Sequence, residues 1–209
     1  MKIKRTANAG VLIETDGVSV LLDGICNRVE FYMETPSEIK EELNETFPDI
    51  VAFTHRHDDH YDANYLKVCE RMTLRPTSGS EVFFLRQVDA VEIISVPTRH
   101  MGKADIEHNS FIIKGSKCIW FMGDASPLEW KKKENLPVPD VIIAPFLYAN
   151  TSSSWNMTKS FGAENIIILH MPDRENDPYG IWNDVEKTIG NDKSAYVPQI
   201  GETIDTDFN

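Results

Sequence analysis

Histidines and aspartates are concentrated in one six-residue stretch, His55-Arg56-His57-Asp58-Asp59-His60, directly after the apolar run 50–54. The chain has six histidines, and half of them lie here. Neutral imidazole is the commonest metal ligand in proteins, and a carboxylate adds a hard oxygen donor beside it. Holding these groups so close together is costly unless a cation lies among them. The stretch therefore predicts a metal site, and its donor count favours two metal ions.

Further residues of the same types follow other predicted strands: Asp23, His100, Asp124 and His170. Each lies just beyond the C-terminal end of an apolar run. Loops at strand ends expose side chains for binding while the strands fix their positions. Independent surface histidines would have no reason to share this location. We therefore expect these residues to converge with the 55–60 stretch.

The spacing within the stretch suggests how two ions would be shared. His55 and His57 alternate along an extended segment, so both can reach one metal. Asp59 and His60 lie past the turn and reach a second ion more naturally. A carboxylate from a distant strand end, such as Asp124, suits a bridging position together with a water or hydroxide. Two such ions lower the pKa of that water from about 15.7 toward about 7.

The order His-Arg-His-Asp-Asp-His resembles the HxHxDH signature of the metallo-β-lactamase superfamily. The other motifs resemble that family's in the same order along nearly the whole chain: Asp23, then His100, Asp124 within Phe121-Met122-Gly123-Asp124, and His170. The resemblance implies an α+β fold over residues 1–209, a single-domain four-layer αβ/βα sandwich. It also implies a dinuclear metal centre at one edge.

The resemblance further implies a role for each motif residue. One ion would be bound by His55, His57 and His100, the other by Asp59, His60 and His170, with Asp124 bridging and Asp23 orienting the ligands. Asp58 falls on a variable position and is expected to be a spectator. Antibiotic-degrading members use other ligands, such as cysteine, in place of the Asp124 bridge. With the compact length, this places the chain nearest the ascorbate-6-phosphate lactonase-like branch.

These assignments predict a metal-dependent hydrolase. The bridging hydroxide would attack a carbonyl carbon or phosphorus of an ester, lactone or phosphodiester, while the ions stabilise the developing negative charge. Asp59 is the candidate catalytic residue, since it could also orient or relay the proton. Zinc is the first choice of metal, and manganese or iron also suits a donor set without thiolate. Fold and metal site alone do not identify the substrate.

Two alternatives remain open at the level of sequence. An iron-dependent oxidoreductase exists on the same fold, but the flavin-partnered members carry Glu where this chain has His57, and these 209 residues include no flavin domain. A non-catalytic metal-binding protein is the other alternative. Such descendants usually lose ligands, whereas every motif is present here.

Composition limits the partners. The formal net charge of -12 and the isoelectric point near 4.9 offer no basic surface for nucleic acid, so a small-molecule substrate is expected. Four residues near the ligands could line its pocket: Arg56, Tyr61, Arg99 and Arg174. An arginine there would suit an anionic substrate, but each could equally pair with an acidic neighbour. The segment 25–32 could cover the substrate.

The hydrophobic pattern predicts strands and helices around these motifs. Strands are expected at 11–15 and 18–22, joined by the turn Asp16-Gly17, and at 49–54, 91–96, 109–114, 117–122, 141–144 and 166–169. Helices are expected at 36–43, 62–71, 79–85 and 177–190, the first with a capping box from Thr35 to Glu38. Trp155, Met157 and Phe161 have helical spacing and are interpreted as packing residues.

The remaining sequence features concern the cysteines, the cellular location, the oligomeric state and His108. The three cysteines, Cys26, Cys69 and Cys118, are widely spaced and are expected to be reduced. No signal peptide and no apolar run of about 20 residues is present, which favours a cytoplasmic protein. A homo-oligomer is compatible with the sequence, which does not fix the oligomeric state. His108, the one histidine outside the motifs, is expected to be structural.

Overall fold

The computed structural model describes residues 1–62, 64–65, 74–77, 80–84, 90–102 and 106–206, with the backbone alone in 74–77 and 80–84. Thirteen strands are found in this part of the chain: β1 Lys2–Arg5, β2 Val11–Thr15, β3 Val18–Leu22, β4 Ile50–Phe53, β5 Leu74–Thr77, β6 Ser80–Phe84, β7 Glu92–Arg99, β8 Glu107–Lys114, β9 Cys118–Phe121, β10 Val141–Pro145, β11 Asn165–Leu169, β12 Ala195–Tyr196 and β13 Thr203–Asp205. The helices are α1 Ser37–Glu45, α2 Pro127–Lys131, α3 Ser152–Lys159 and α4 Ile181–Ile189, with a 3₁₀ turn at Phe146–Tyr148.

The strands form two mixed sheets. The first has the order β13-β1-β2-β3-β4-β6-β5 and the second the order β12-β11-β10-β9-β8-β7. Their inner faces share one hydrophobic core, in which Ile13 and Val20 of the first sheet join Phe111 and Ile143 of the second. Burial of this apolar surface is the main force holding the sheets face to face.

Helices cover both outer faces. On the first sheet, Ile39 and Leu43 of α1 pack into a cluster with Phe53. On the second sheet, α2, α3 and α4 each bury one tryptophan in a common cluster: Trp130, Trp155 and Trp182. The layers therefore run helix, sheet, sheet, helix, which confirms the predicted αβ/βα sandwich.

Parallel pairing gathers the candidate residues at one edge. Strands β3 and β4 are parallel neighbours, so Asp23 and the 55–60 stretch leave the first sheet side by side. In the second sheet, β9, β10 and β11 are parallel, and Asp124 and His170 follow the ends of β9 and β11. Both β7 and β9 run antiparallel to β8, so His100 leaves at the same edge, where it forms a bridge with Ala125.

Most predicted elements are present: the hairpin at Asp16-Gly17 is confirmed, and the strands predicted at 109–114 and 117–122 pair antiparallel as a second hairpin. The turn Asp16-Gly17 has φ angles of 51° and 76°, as a tight hairpin turn requires. The predicted helix 79–85 is wrong, because Ser80–Phe84 is a strand between β4 and β5. Most of the predicted helix 62–71 lies outside the described residues. No helix in the described part of the chain is both long and apolar enough to cross a membrane.

The predicted helix ends differ in detail. The capping box at Thr35 is wrong: Pro36 precedes α1, and the Thr35 hydroxyl instead accepts a hydrogen bond from the Cys26 backbone N–H at 3.0 Å. The last helix starts at Ile181 rather than at 177, but Asp177 still accepts a hydrogen bond from the Trp182 backbone N–H at 2.8 Å. Cys26 and Cys118 are free thiols, and Cys69 lies outside the described residues.

Candidate metal centre

Imidazole and carboxylate groups converge where the strand ends of the two sheets meet. Three sets can be drawn, and within each set the donor atoms lie within 4.8 Å of one another. The sets are His55, His57 and His100; His55, His60 and Asp124; and Asp59, His60 and His170. Five separate chain segments supply these side chains if Asp23, which contacts His60, is included.

The carboxylate of Asp124 lies among imidazoles from different segments. Its Oδ1 is 3.4 Å from His60 Nε2, and its Oδ2 is 3.4 Å from His100 Nε2 and 3.7 Å from His170 Nε2. Asp59 Oδ2 is 3.1 Å from His170 Nε2. Each carboxylate thus faces histidine nitrogens across a gap of the size a shared cation would require.

Asp23 fixes the orientation of the 54–60 segment. This fully buried carboxylate accepts hydrogen bonds from the Thr54 backbone N–H at 2.7 Å and the Thr54 hydroxyl at 2.7 Å. It also lies 2.8 Å from His60 Nδ1. Because an ionised carboxylate only accepts, His60 carries a proton on Nδ1, and its Nε2 is the ring atom that faces Asp124.

Two more imidazoles are held in the same tautomer. The Thr54 hydroxyl, which donates to Asp23, lies 2.9 Å from His55 Nδ1 and accepts a hydrogen bond from its N–H. His100 Nδ1 lies 2.5 Å from the Met101 carbonyl oxygen and donates to it. In each ring Nε2 therefore faces the cluster, where His55 Nε2 lies 3.0 Å from His57 Nδ1 of the same donor set. Hydrogen bonds to the outer ring nitrogen orient histidine ligands in this way at metal sites.

Several buried nitrogen and oxygen atoms that could bind a metal have no hydrogen-bond partner at this edge: His60 Nε2, His100 Nε2, His170 Nε2 and Asp124 Oδ1. Buried polar atoms are almost always satisfied, since leaving one unpaired costs about 1–3 kcal/mol. A divalent cation would satisfy several of these atoms at once. The nitrogen and oxygen donors also suit zinc, manganese or iron. The residues present therefore fit a metal centre.

The electrostatics of the cluster are dominated by burial and by the carboxylates. Burial lowers the pKa of His55 far below its usual range, so this ring is neutral and can act as a ligand. Burial also disfavours a charged His60, but Asp124 and Asp23 outweigh it and raise the pKa of His60. Burial alone would raise the pKa of Asp59, yet the nearby imidazole of His170 and the charge of His60 keep it lowered.

The backbone turns sharply where these residues leave their strands. Asp23 and His170 have φ angles of 46° and 59°, a region that side-chain-bearing residues rarely adopt. Gly123, just before Asp124, has φ 53°. The His170 turn is secured by a hydrogen bond from its backbone N–H to the Asn8 carbonyl at 3.0 Å. Such strained turns cluster at functional sites, where the surrounding structure holds them in place.

His108 holds the backbone of Asp124 in place through a hydrogen bond. Its Nε2 accepts a hydrogen bond from the Asp124 backbone N–H at 2.9 Å, so its proton is on Nδ1 and is donated to the Thr98 hydroxyl at 2.8 Å. The Thr98 hydroxyl lies 3.0 Å from that of Ser110, which donates to the Met122 carbonyl at 2.7 Å. Burial lowers the pKa of His108 to about 3, consistent with a neutral ring.

Arg5 supports His170 from the opposite side. Its buried guanidinium donates to the carbonyl oxygens of Asn8 at 3.0 Å, Ala7 at 3.1 Å and Pro198 at 2.8 Å. The Asn8 carbonyl is also the acceptor for the His170 backbone N–H. Burial lowers the pKa of Arg5 to about 10, which leaves it charged at neutral pH. Arg5 therefore ties the N-terminal loop and the C-terminal segment to the turn that carries His170.

A family model described as "Beta-lactamase superfamily domain" matches residues 2–173, which is most of the chain and includes every residue of the cluster. The chain belongs to the beta-lactamase superfamily. No curated protein matches it. The fold predicted from the motifs is thereby confirmed.

Solved structures resemble the chain along nearly its whole length. A possible metal-dependent hydrolase from Veillonella parvula matches with a TM-score of 0.71 and 15% identity over 98% of each chain. An isothiocyanate hydrolase from Delia radicum gut bacteria matches with a TM-score of 0.65 and 14% identity over 98% of this chain and 99% of that one. CmlA, a diiron beta-hydroxylase from Streptomyces venezuelae, matches with a TM-score of 0.65 and 11% identity over 97% of this chain and 53% of that one.

At these identities the structural likeness demonstrates the fold alone. What indicates a metal centre is this chain's own histidine and aspartate donor sets, which could hold divalent ions.

The residues predicted to line a substrate pocket are more dispersed. Arg174 is exposed and paired with Glu186 at 2.7 Å, and its guanidinium stacks 3.8 Å from the Trp182 ring centroid. Arg56 is exposed, with its guanidinium 6.0 Å from the ring centroid of the half-buried Tyr61. Arg99 is also exposed, and its charge acts on Glu129 of α2. The exposed side chain of Asp58 lies in none of the donor sets.

Tyr32 is closer to the cluster than any sequence pattern indicated. Its ring meets that of His170 edge to face, with centroids 4.3 Å apart. Burial and the charges of Asp124 and Asp59 raise the pKa of Tyr32 above its usual range, so it stays protonated. Tyr32 lies in the segment 25–32 that was expected to cover the substrate. Thr54, Thr98 and Arg5 were missed, because single hydroxyls and one arginine carry no spacing signal.

Proposed function

We propose that the protein is a metal-dependent hydrolase with two divalent ions, zinc being the first choice. His55, His57 and His100 would bind one ion, Asp59, His60 and His170 the other, and Asp124 would bridge them. The observation that carries this proposal is the convergence of buried imidazole nitrogens without hydrogen-bond partners around the Asp124 carboxylate. Such ions, when bound, supply an activated water at neutral pH and stabilise negative charge on a reacting oxygen.

The chain's own residues would prepare this chemistry. Asp23 and Thr54 hold His60 and His55 with their protons on Nδ1, so both Nε2 atoms face the centre. His108 holds the backbone of Asp124, and Arg5 supports the turn that carries His170. Asp59, kept ionised beside His170, offers a carboxylate oxygen that can accept a proton from the attacking water.

We propose a small-molecule substrate with an ester, lactone or phosphodiester bond. The aspartate at the bridging position supports placement nearest the ascorbate-6-phosphate lactonase-like branch. The similarity to an isothiocyanate hydrolase adds isothiocyanates to the compounds that should be assayed. A location in the cytoplasm and the oligomeric state stay predictions of the sequence.

Metal analysis of His57→Ala tests the proposal, with Asp58→Ala as the matched control from the same turn. His57 belongs to a donor set, whereas the side chain of Asp58 is exposed and outside all of them. We expect the native protein and Asp58→Ala to carry two ions per chain and to hydrolyse at least one compound of the panel. His57→Ala should lose metal and activity while its circular dichroism is unchanged. Full metal content in His57→Ala would contradict the ligand assignment.

The purified native protein also tests the alternative of an iron-dependent oxidoreductase. The structural similarity to a diiron hydroxylase is the reason to test it. A hydrolase is expected to be colourless and redox-silent as purified. An iron-loaded, coloured protein that consumes oxygen and leaves the hydrolase panel untouched would favour the alternative. A metal-loaded protein inert in both assays would favour a non-catalytic metal-binding role.

A further inference from the structure

Three aromatic rings form a row that leads from His170 to the surface. Tyr32 packs edge-on against His170, Phe31 lies 4.5 Å from Tyr32 between ring centroids, and Tyr179 lies 5.5 Å from Phe31. The Phe31–Tyr179 contact is also edge to face, with 73° between the ring planes. We call Phe31, Tyr32 and Tyr179 the aromatic row. It begins at a proposed metal ligand and ends in solvent.

Backbone hydrogen bonds hold the row in place. Val29 and Tyr32 exchange two backbone hydrogen bonds, at 3.2 and 2.8 Å, so the two rings of this segment project from a closed turn. The Phe31 carbonyl accepts a hydrogen bond from the Asp173 backbone N–H at 3.0 Å, which joins this turn to the segment after His170. The Asp58 carbonyl accepts another from the Asn27 N–H at 2.7 Å. The row is thus fixed relative to both sides of the metal centre.

Exposure at the outer end of the row is unusual for so large an aromatic side chain. Tyr179 is 72% exposed, although its ring offers one of the largest apolar surfaces of any residue. Phe31 and Tyr32 are each half-buried, so all three rings keep a free surface. An apolar group lying along the row would remove that surface from water and gain edge-to-face or stacking contacts.

Charge near the row favours an uncharged group. Arg174, the cation closest in sequence to His170, forms an ion pair with Glu186 and stacks on Trp182. A negatively charged substituent beside the row would compete with Glu186 for Arg174, whereas a flat uncharged one would meet three aromatic rings.

We propose that the aromatic row binds a planar, uncharged apolar group of the substrate, such as an aryl ring, whose reacting bond reaches the metal centre beside His170. This proposal names the substrate class of the hydrolase proposed above and therefore rests on that function. It makes Phe31, Tyr32 and Tyr179 determinants of specificity. It also replaces the expectation that Arg174 selects an anionic substrate.

The first experiment measures binding to the row without any metal-binding group. The protein as purified is labelled with 3-fluorotyrosine, and the ¹⁹F resonances of Tyr32 and Tyr179 are assigned from Tyr32→Phe and Tyr179→Phe. Phenylacetamide should shift both resonances, whereas acetamide at the same concentration should shift neither. Equal response to the two amides, or no response, would overturn the proposal.

The second experiment tests whether one ligand can contact the aromatic row and the metal centre at the same time. Calorimetry on the metal-loaded protein compares phenylacetohydroxamic acid with acetohydroxamic acid, which share a chelating group and differ in the ring. We expect the phenyl compound to bind at least roughly tenfold more tightly, a preference of about 1.4 kcal/mol. The double variant Phe31→Ser, Tyr179→Ser should lose this preference while its affinity for acetohydroxamic acid is unchanged.

Val138→Ser is the matched control, because Val138 is 73% exposed and contributes no ring to the row. It should retain the full preference for the phenyl compound. A preference that survives in the double variant would overturn the proposal. The native protein could also bind phenylacetamide and yet carry no metal. That result would support the aromatic row and refute the proposed metal-dependent hydrolase.

Discussion

Gly123 is the residue whose backbone aims Asp124 at the cluster. Its φ of 53° is in the left-handed region, and a Cβ atom there would lie 2.6 Å from Thr54 Cγ2 and 2.8 Å from His108 Nε2. Both neighbours belong to the network that orients the donors, so they cannot move without displacing it. The position therefore requires glycine for two independent reasons, backbone strain and close contact.

Gly123→Ala should lower the free energy of unfolding by roughly 2–4 kcal/mol, because left-handed strain and overpacking add. The matched control is Gly180→Ala, since Gly180 has φ 68° and open space around its Cβ position. That change should cost only about 1–2 kcal/mol, the strain alone. Urea unfolding measures both variants. Equal losses would show that contact with Thr54 and His108 contributes nothing.

Thr98 links β7 to the ring that supports Asp124. Thr98→Val removes the hydroxyl that accepts from His108 and faces Ser110, at nearly constant volume. We expect a loss of roughly 1–3 kcal/mol in unfolding free energy, because a buried N–H of His108 is left without an acceptor. Metal affinity should fall as well, since Asp124 loses its fixed orientation. Unchanged metal affinity, measured by competition with a chelator, would limit Thr98 to a role in stability.

The functional residues that could be predicted from the sequence were those that belong to a motif with characteristic spacing. The 55–60 stretch, Asp23, His100, Asp124 and His170 were predicted from their motif order and strand ends, and the structure brings all of them to one edge. The roles of Thr54 and Arg5 depend on contacts across 31 and up to 193 residues of sequence. No local pattern encodes such contacts, so they could be seen only in the folded chain.

At the scale of elements, Asp192 organises the connection between α4 and the edge strand β12. Its Oδ1 accepts hydrogen bonds from the Ser194 hydroxyl at 2.7 Å and backbone N–H at 3.1 Å. Its Oδ2 lies 3.3 Å from Lys159 Nζ of α3. The Ser194 hydroxyl is the main cause of the lowered pKa of Asp192, with Lys159 adding to it. The carboxylate is therefore favoured in its charged form by folding.

This lowered pKa predicts a pH-dependent contribution to stability. It is fully present above the unfolded pKa of about 4 and is lost as the pH falls through the lower folded-state value. Asp192→Asn should reduce the unfolding free energy at neutral pH by less than about 1 kcal/mol, since the group is partly exposed. Urea titrations at successive pH values should show the difference closing in strongly acidic solution. A difference independent of pH would contradict the charge argument.

Secondary-structure elements were predicted best where the local sequence is compatible with only one backbone conformation. The turn Asp16-Gly17 between two apolar runs admits little but a hairpin, and Gly190 ends α4 with φ 54°. The segment 79–85 was predicted as a helix because Gly79-Ser80 suggests a helix start. Ser80–Phe84 is a strand because its pairing with β4 and β5, which the sequence does not display, outweighs local preference.

At the scale of the whole molecule, the proposed metal centre joins the two sheets. The 55–60 stretch follows β4 of the first sheet, whereas His100, Asp124 and His170 follow β7, β9 and β11 of the second. Bound ions would hold these strand ends together in the folded state alone. Stability should therefore depend on free metal concentration, because a ligand that binds only the folded state stabilises it.

Removal of metal with a chelator should lower the unfolding temperature. A free ion concentration about 100 times the dissociation constant adds about 2.7 kcal/mol of stability. For a chain of this size each kcal/mol shifts the midpoint by roughly 2–4 °C, so a fall of about 5–10 °C is expected. Differential scanning calorimetry with and without chelator measures it, and added zinc should restore the midpoint.

His170→Asn provides the internal comparison for this prediction. Asparagine tolerates the left-handed backbone at this position, where φ is 59°, but lacks the imidazole. The variant should fold and should show a smaller response to chelator than the native protein. An undiminished response in His170→Asn would exclude this residue from the ligand set.

The division of the site between two sheets also sets an order of events during synthesis. The chain emerges from its N-terminus, so the three imidazoles of the 55–60 turn leave the ribosome before any donor from the second sheet exists. The last donor, His170, appears 110 residues after His60, and β1 gains its neighbour β13 later still. Under the proposed assignment, the set His55, His57 and His100 is complete first, whereas the set that includes His170 is complete only after translation has passed β11.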